Sequence, residues 1–197
     1  MQDLMKQKLR NTYFAMRHGQ SEANVAGIIA SDPAIGCQQY GLTETGKQQV
    51  STSVQNSSDL GNGVRIMSSD FLRTKETAEI VHSVLKAQNP VQYTKELRER
   101  FFGDLNGQSD QHYQDVWNLD QQNADHREYD VESANQVVVR ASALIQQLEK
   151  QFTNEVFLLV AHGDVLQLLQ TWFQNVPASQ HRELPHLSTA EIRCLNN

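Results

Sequence analysis

The sequence has few of the residues that mark disulfide-stapled, membrane-embedded or nucleic-acid-binding proteins. Its two cysteines, Cys37 and Cys194, are too few and too far apart for a disulfide framework, and no Cys-x-x-Cys pair that could hold zinc is present. No apolar run approaches the roughly 20 residues of a membrane helix. The net charge of −6 disfavours nucleic acid, whose binding needs a basic surface. We therefore expect neither a membrane nor a nucleic acid as partner.

The histidines show no spacing typical of metal ligands, and no His-Glu-x-x-His motif occurs. We therefore expect no metal site and no cofactor. The segment 1–10 carries Lys6, Lys8 and Arg10 but no apolar stretch, which argues against a signal peptide. The expectation is a cytoplasmic protein with a flexible tail over residues 1–10.

What the sequence does contain is a regular alternation of strand and helix patterns in a chain that is 39% hydrophobic. Strands separated by helices predict a three-layer α/β/α sandwich with a mostly parallel central sheet, in one domain spanning residues 1–197. The polar stretch 103–130 is interpreted as an insertion that covers one edge of the sheet. The predicted strands are Thr12–Met16, Val64–Met67, Pro90–Thr94, Val156–Ala161 and Ala190–Leu195.

Helices are predicted from their caps and their apolar periodicity. Thr43 is placed at the start of a helix that reaches about Ser53, and Ser133 with Gln136 forms a possible capping box before another long helix. Further helices are predicted over about 71–86, around 113–119 and directly after Gly163.

Two of the predicted strands end in a His-Gly pair. The run Phe14–Arg17 is followed by His18-Gly19, and the run Val156–Ala161 is followed by His162-Gly163. In an open α/β sheet, ligands bind at the carboxyl ends of the strands. An imidazole beside Arg17 at that edge indicates a site where a histidine attacks an anionic group.

Five segments, in order along the chain, resemble the histidine phosphatase superfamily, also called phosphoglycerate mutase-like. They cover almost the whole sequence. The matching segments are Arg17-His18-Gly19 with Asn24, Gly41–Gln49, Ser68–Ala78, Leu97-Arg98-Glu99 followed by Gly103 and Gly107, and Ala161-His162-Gly163. The chain departs from the family's pattern at Gln20, where Glu is usual, at Leu105-Asn106 in place of Trp-Glu, and at Asp164 in place of Gly.

The resemblance implies a role for each matched residue. His18 would be the nucleophile that becomes phosphohistidine, Glu99 the general acid and base, and His162 a stabiliser of the transferring phosphoryl group. Arg17 and Arg73 would complete the catalytic set, since their planar guanidinium groups suit phosphate oxygens. Substrate contacts are further expected at Gly19, Asn24 and Gly163, where Gly163 opens a helix whose free N–H groups face an anion.

Several of these residues also have a structural interpretation. Asn24 could be a turn residue, Glu99 lies in a charged run typical of a solvated loop, and Arg73 could pair with Glu76 or Glu79 on its own helix.

The sequence leaves open the role of two residue pairs. For Tyr113 and Trp117, packing is favoured over a place in a pocket. His181 and Arg182 form a weaker candidate for holding a second anionic group.

The favoured function is a metal-independent phosphatase that hydrolyses small phosphate monoesters. The alternatives are a phosphoglycerate mutase or sugar bisphosphatase, and, from another class, an inactive regulator that binds phosphate. A mutase usually has longer insertions over its site, and the segment 103–130 is the only sizeable cover in this chain. The sequence is silent on the natural substrate and on the oligomeric state.

Overall fold

The computed structural model describes residues 8–196, and its centre is one five-stranded sheet in the order β3-β2-β4-β1-β5. Strands β1 to β4 are mutually parallel, and β5 pairs antiparallel with β1 at one edge. In the register of β1 with β4, Arg17 lies opposite Ala161, so the two His-Gly pairs emerge side by side. The strands are β1 (Thr12–Arg17), β2 (Arg65–Ser69), β3 (Gln92–Thr94), β4 (Val156–Ala161) and β5 (Ile192–Cys194).

Seven α-helices and several single 3₁₀ turns connect these strands within the described residues. The helices are α1 (Glu22–Ala26), α2 (Pro33–Gly36), α3 (Glu44–Gln55), α4 (Leu72–Leu85), α5 (Tyr113–Gln122), α6 (Ala134–Gln151) and α7 (Gly163–Gln174). The 3₁₀ segments are Lys95–Leu97, Gly103–Leu105, Asp110–His112, Glu128–Asp130 and Ala178–Glu183.

Helices cover both faces of the sheet, because alternate residues of each strand point to opposite sides. On one side, Phe14 and Met16 of β1 join a buried cluster with residues of α3 and α4. On the other side, Tyr13 and Ala15 join a second cluster with residues of α6 and α7. The predicted three-layer α/β/α sandwich with a mostly parallel sheet is thereby confirmed.

Most predicted elements are present with small changes at their ends. Thr43 caps α3, its side chain accepting the N–H of Gly46, and Ser133 with Gln136 forms the expected capping box. The last strand begins at Ile192 and not at the predicted Ala190. Ala190 has a φ of 60° and donates its N–H to the backbone oxygens of Arg17 and His18, so it cannot belong to the ladder.

The tail that the sequence predicts over residues 1–10 is only partly described by the structure. Residues 1–7 of the expected flexible tail lie outside the described part of the chain. Leu9 packs against the core, and Arg10 donates its backbone N–H to Glu149.

None of the helices described for residues 8–196 is long and apolar enough to cross a membrane.

The covering segment 103–130 has a small apolar cluster of its own. Leu105 and Val116 of the segment pack there with Ile29, Phe102 and Val131, which come from the flanking chain. Asn106 ties the segment down further, since its side-chain oxygen accepts the N–H groups of residues 31 and 32. These contacts hold the segment against residues 29–32 and Val131.

Candidate active site

A cavity of about 210 Å³ opens at the carboxyl ends of β1 and β4. Six of the residues singled out from the sequence line it: Arg17, His18, Asn24, Arg73, Glu99 and Gly163. His162 lies behind this wall, fully buried, with its ring edge-on to His18 at 5.4 Å between ring centroids. Residues from four segments far apart in sequence therefore meet at one edge of the sheet.

His18 is held in one tautomer. Its Nδ1 lies 2.7 Å from the backbone oxygen of Gly19, which can only accept, so Nδ1 carries the proton. Its Nε2 accepts the Nε–H of Arg73 at 3.2 Å and is therefore unprotonated. Burial lowers the pKa of His18 well below its usual value, and Arg73 and Arg17 lower it further. At neutral pH the ring is uncharged, with a lone pair on Nε2.

His162 is also uncharged at neutral pH. Burial lowers its pKa well below the usual value, and the charge of Arg73 acts in the same direction. Its Nε2 lies 3.0 Å from Ser69 Oγ, while its Nδ1 lies 3.6 Å from Glu99 Oε2. The ring therefore stands between a fixed hydroxyl and the carboxyl group of Glu99.

Two arginines supply positive charge to the cavity. Arg73 is 3% exposed, donates to the backbone oxygen of Ala30 at 3.0 Å and lies 3.6 Å from Glu99 Oε2. Arg17 donates through Nη1 to the backbone oxygen of Leu187 at 3.1 Å. The surface pairing of Arg73 with Glu76 or Glu79 is excluded by this buried position. Burial lowers the pKa of both arginines, yet a guanidinium group stays charged at neutral pH.

Three buried nitrogen atoms of this site have no hydrogen-bond partner among the described residues: Nε of Arg17, Nη1 of Arg73 and Nδ1 of His162. An unsatisfied buried polar group costs about 1–3 kcal/mol, and more when it is charged. A small oxyanion in the cavity would accept from such donors. Their clustering at one place indicates a site built for an anion.

Glu99 has the environment of a proton donor. Burial raises its pKa to about 7, Arg73 opposes this, and Asp164 adds to the rise. Its Oε1 accepts the N–H of Arg100 at 2.9 Å, while Oε2 faces Arg73 and His162. The solvated-loop interpretation of this residue is wrong, because Glu99 is 9% exposed. Near neutral pH both its acid and its base forms are populated.

Glu99 also borders a second, more open groove of about 460 Å³. Lys95, Arg127 and Arg140 contribute to the lining of that groove, but His18 and Arg73 do not. Arg140 is already paired with Glu132 at 2.6 Å. The smaller cavity, and not this groove, therefore contains the groups able to do chemistry on an anion.

Asn24 and Gly163 lie on the cavity wall as expected from the sequence. Asn24 is the third residue of α1 and not a turn residue. Its side-chain oxygen accepts the N–H of Ser21, the N-cap of that helix, and so completes a capping box. Its amide nitrogen donates no hydrogen bond within residues 8–196 and is available to a ligand. Gly163 opens α7, and a Cβ there would come within 3.2 Å of Arg17 Nε, so the glycine makes room for that guanidinium group.

Gly19 differs from its expected role as a substrate contact. It does not line the cavity, and its N–H donates to Thr77 Oγ1 at 3.3 Å. A Cβ on Gly19 would lie 2.5 Å from the backbone oxygen of Gly46, and one on Gly46 would lie 2.0 Å from that of Gln20. The absence of a side chain at Gly19 thus serves the close packing of the loop after β1 against α3.

The far wall of the cavity is formed by residues that the sequence did not predict as site residues. Tyr113 and Trp117 of α5 line it together with Arg182 and His186. The two aromatic rings stack at 5.5 Å with an interplanar angle of 10°. The preference for simple packing was therefore incomplete, because both rings also face the cavity.

A buried cluster of charges behind the cavity was missed by the sequence reasoning. Arg100, fully buried, donates to both oxygens of Asp120 at 2.7 and 2.8 Å and to Asp164 at 3.4 Å. His126 lies 2.9 Å from Asp120, and His181 lies 3.6 Å from Asp164. No local signal marks this cluster, since its members come from separate segments. His181 belongs to it and does not reach the cavity wall.

The fold and the site define an α/β protein with a two-histidine, two-arginine anion pocket at the edge of its sheet. The family model of the histidine phosphatase superfamily, branch 1, matches residues 13–196. The chain belongs to this family, which is the resemblance that its motifs indicated.

Relatives and solved structures agree with this membership. The chain is similar to a broad-specificity phosphatase of Saccharomyces cerevisiae, with 25% identity over 86% of this chain and 73% of that protein. It is 30% identical to a 6-phosphofructo-2-kinase/fructose-2,6-bisphosphatase of Caenorhabditis elegans over 91% of this chain and 37% of that protein. The structure of a mycobacterial glucosyl-3-phosphoglycerate phosphatase superimposes with a TM-score of 0.75 at 22% identity, covering 95% of this chain and 90% of that one.

Proposed function

We propose that the protein is a metal-independent phosphatase that hydrolyses small phosphate monoesters through a phosphohistidine on His18. One observation carries the proposal: the unprotonated Nε2 of His18 lies beside Arg73, and three buried nitrogen atoms of the same site lack a partner among the described residues. The volume of about 210 Å³ is below the roughly 300–1,000 Å³ of pockets for drug-sized ligands, which favours a small substrate.

The first step transfers the phosphoryl group to the enzyme. The ester phosphate replaces the contact between Arg73 Nε and His18 Nε2, and Arg17, Arg73 and the amide of Asn24 bind its oxygens. The lone pair of Nε2 then forms the N–P bond as the bond from phosphorus to the ester oxygen breaks. Glu99, protonated, donates its proton to that leaving oxygen, and the alcohol departs.

The second step returns the enzyme to its starting state. Glu99, now a carboxylate, accepts a proton from water as the water oxygen attacks phosphorus. The N–P bond breaks, its electron pair returns to Nε2 of His18, and inorganic phosphate leaves. Throughout both steps His162 and the arginines hold the phosphoryl oxygens, since positioning and electrostatics dominate phosphoryl transfer.

The test is to trap the intermediate. Acid-labile ³²P should accumulate on the wild-type protein during turnover of a labelled ester, and it should be absent from His18→Ala, which also loses turnover. His112→Ala is the matched control, because the half-exposed side chain of His112 is paired with Asp115 and does not line the cavity. Normal turnover in His18→Ala would contradict the mechanism. Turnover that requires a bisphosphate primer would indicate a mutase.

A further inference from the structure

The proposed mechanism leaves one cation on the cavity wall unused. The guanidinium carbon of Arg182 lies 3.6 Å from the centroid of the Trp117 ring, and its Nη1 donates to Oε1 of the buried Gln167. The Nε and Nη2 atoms of Arg182 donate no hydrogen bond to any residue of the range 8–196. Arg182 is thus held in place on one side and has free donors on the other.

The ring that supports Arg182 is itself fixed. Trp117 donates its Nε1–H to Asp164 Oδ1 at 2.8 Å and stacks on Tyr113. Tyr113 in turn packs edge-on against the buried Phe102 at 4.8 Å. This chain of contacts orders the far wall without a ligand, so little entropy is lost when something binds there.

The charges around the cavity do not balance at this wall. Arg17 and Arg73 suffice for a phosphate monoester, which carries close to two negative charges. Three carboxylates line the cavity: Glu99, Asp110 and Asp164. Glu99 faces Arg73, and Asp164 is engaged by Trp117 and Arg100. Asp110 lies beside Gly27. Arg182 forms no ion pair within the described part of the chain. Asp164 acts on it only at longer range, raising the pKa of its guanidinium group against the lowering by burial.

His186 lies within the electrostatic reach of both arginine sites. Burial lowers its pKa, and the charges of Arg17 and Arg182 lower it further, with Glu191 opposing and Arg193 adding to them. Its ring lines the same cavity and makes no side-chain hydrogen bond within residues 8–196. It is therefore a neutral ring on the cavity wall that can donate one N–H to an anion.

We propose that Arg182 and His186 form a second anion subsite, and that the natural substrate is a small phosphate monoester carrying a second anionic group. This inference rests on the proposed phosphatase function. The shared chemistry of the second group is that of an oxyanion, a carboxylate or a second phosphate, since both accept hydrogen bonds from a guanidinium group. The small cavity limits the spacer between the two groups to a few carbon atoms.

The experiment compares matched pairs of esters. 3-Phosphoglycerate and glycerol 3-phosphate differ only in a carboxylate against a hydroxymethyl group, and propane-1,3-diol bisphosphate and monophosphate differ in a second phosphate. In one of the two pairs, we expect the wild-type protein to show a kcat/KM at least about 10-fold higher for the ester that carries the second anionic group. Whichever pair shows the preference identifies the second group.

Arg182→Gln should reduce that ratio by about 10- to 100-fold, the size expected when a hydrogen bond to a charged group is lost. Arg182→Lys, which keeps the charge, should lose less. Arg65→Gln is the matched control: Arg65 also stacks on an aromatic ring, Phe152 at 4.4 Å, but lies at the opposite end of the sheet. The ratio should be unchanged there.

Three results would overturn the inference. The first is a wild-type protein that prefers neither anionic member, and the second is a preference that survives in Arg182→Gln. The third is a loss of inhibition by inorganic phosphate in Arg182→Gln that is as large as the loss in the kcat/KM ratio. That result would show that Arg182 holds the transferred phosphoryl group. Hydrolysis of p-nitrophenyl phosphate by the wild-type protein tests the phosphatase function separately. If this ester is hydrolysed, a negative result contradicts only the second subsite; if it is not, both proposals are contradicted.

Discussion

At the scale of single residues, burial sets the charge of three neighbouring groups of the site. His18 and His162 are neutral because burial and the arginines both disfavour a second positive charge. Glu99 retains its proton to about pH 7 because burial outweighs the attraction of Arg73. The sequence names these three groups, but only their depth in the fold determines which of them carries a charge.

Glu99→Gln should slow esters with poor leaving groups far more than activated ones. An alkyl phosphate needs a proton on its leaving oxygen, so its kcat/KM should fall by about 10²- to 10⁴-fold. The nitrophenolate of p-nitrophenyl phosphate leaves without a proton, so its kcat/KM should fall much less. The ratio kcat/KM is the right measure because it reports steps up to the first irreversible one, and so leaves out the later attack of water.

The same carboxyl group should set a pH limit. As pH rises through about 7 Glu99 loses its proton, and kcat/KM for the alkyl ester should decline. This decline should be missing in Glu99→Gln, while any change caused by titration of the substrate stays. Glu128→Gln, at an exposed carboxylate outside the cavity, is the control. If Glu99→Gln lowered kcat/KM equally for the alkyl ester and for p-nitrophenyl phosphate, Glu99 would be excluded as the acid. Asp164 would then be the next carboxylate to test.

At the scale of elements, the site depends on how loops after strands pack against helices. The loop after β1 lies directly on α3, with Gly46 touching the backbone of Gln20. The loop that carries Glu99 is anchored through Arg100, whose guanidinium group reaches Asp120 of α5 and Asp164 of α7. The positions of His18 and Glu99 are therefore controlled by contacts outside the cavity.

Gly46→Ala should destabilise the protein although alanine is the better helix former. In an open helix the exchange gains up to about 1 kcal/mol, but here the Cβ would lie 2.0 Å from the backbone oxygen of Gln20. We expect a net loss of about 1–3 kcal/mol, the usual cost of overpacking, and a lower kcat as the loop moves. Gly61→Ala, with no atom within 4 Å of its Cβ, is the control for urea unfolding. A stabilised Gly46→Ala protein would contradict this view of the loop.

The Arg100–Asp120 pair should show strong coupling. Removing one partner by Arg100→Met or Asp120→Leu takes from the other buried charge its closest ion-pair partner, and breaking a buried pair costs about 3–5 kcal/mol. The double variant should cost less than the sum of the two, because it removes both charges. The free energies of unfolding in urea, combined in a double-mutant cycle, measure this coupling. Additive losses would show that the two side chains do not stabilise each other.

At the scale of the whole molecule, overall charge and local charge have opposite signs. The chain carries a net charge of −6, yet Arg17, Arg73 and Arg182 converge on one small cavity. An anionic substrate is thus attracted by the field inside the cavity and not by the protein as a whole. The covering segment 103–130 completes this cavity with α5, whose two aromatic rings form its far wall.

Activity should persist in excess EDTA. The arginines and the donors of the cavity already supply positive charge for the phosphoryl oxygens, so no divalent cation is needed to neutralise them. The measurement is hydrolysis of p-nitrophenyl phosphate after dialysis against EDTA, with and without added Mg²⁺ or Mn²⁺. Loss of activity that either metal restores would show that the phosphoryl group is held in another way.

The sequence by itself determined the layered fold and the main members of the site. Strand and helix periods, the cap at Thr43 and the capping box at Ser133 are local signals, so they can be interpreted without knowing the tertiary structure. The His-Gly pairs at the ends of β1 and β4 are equally local, and parallel strands bring their ends together by geometry alone.

Only the tertiary structure decided what depends on burial and on contacts between distant segments. The tautomer of His18 depends on the next residue, Gly19, and on the distant Arg73. The proton of Glu99 follows from burial and from neighbours far away in sequence, and so does the packing role of Gly19. The same holds for Arg182, which reaches the cavity because Gln167 and Trp117 fix its guanidinium group there. Desolvation and close packing are properties of the assembled chain, and no local pattern of residues encodes them.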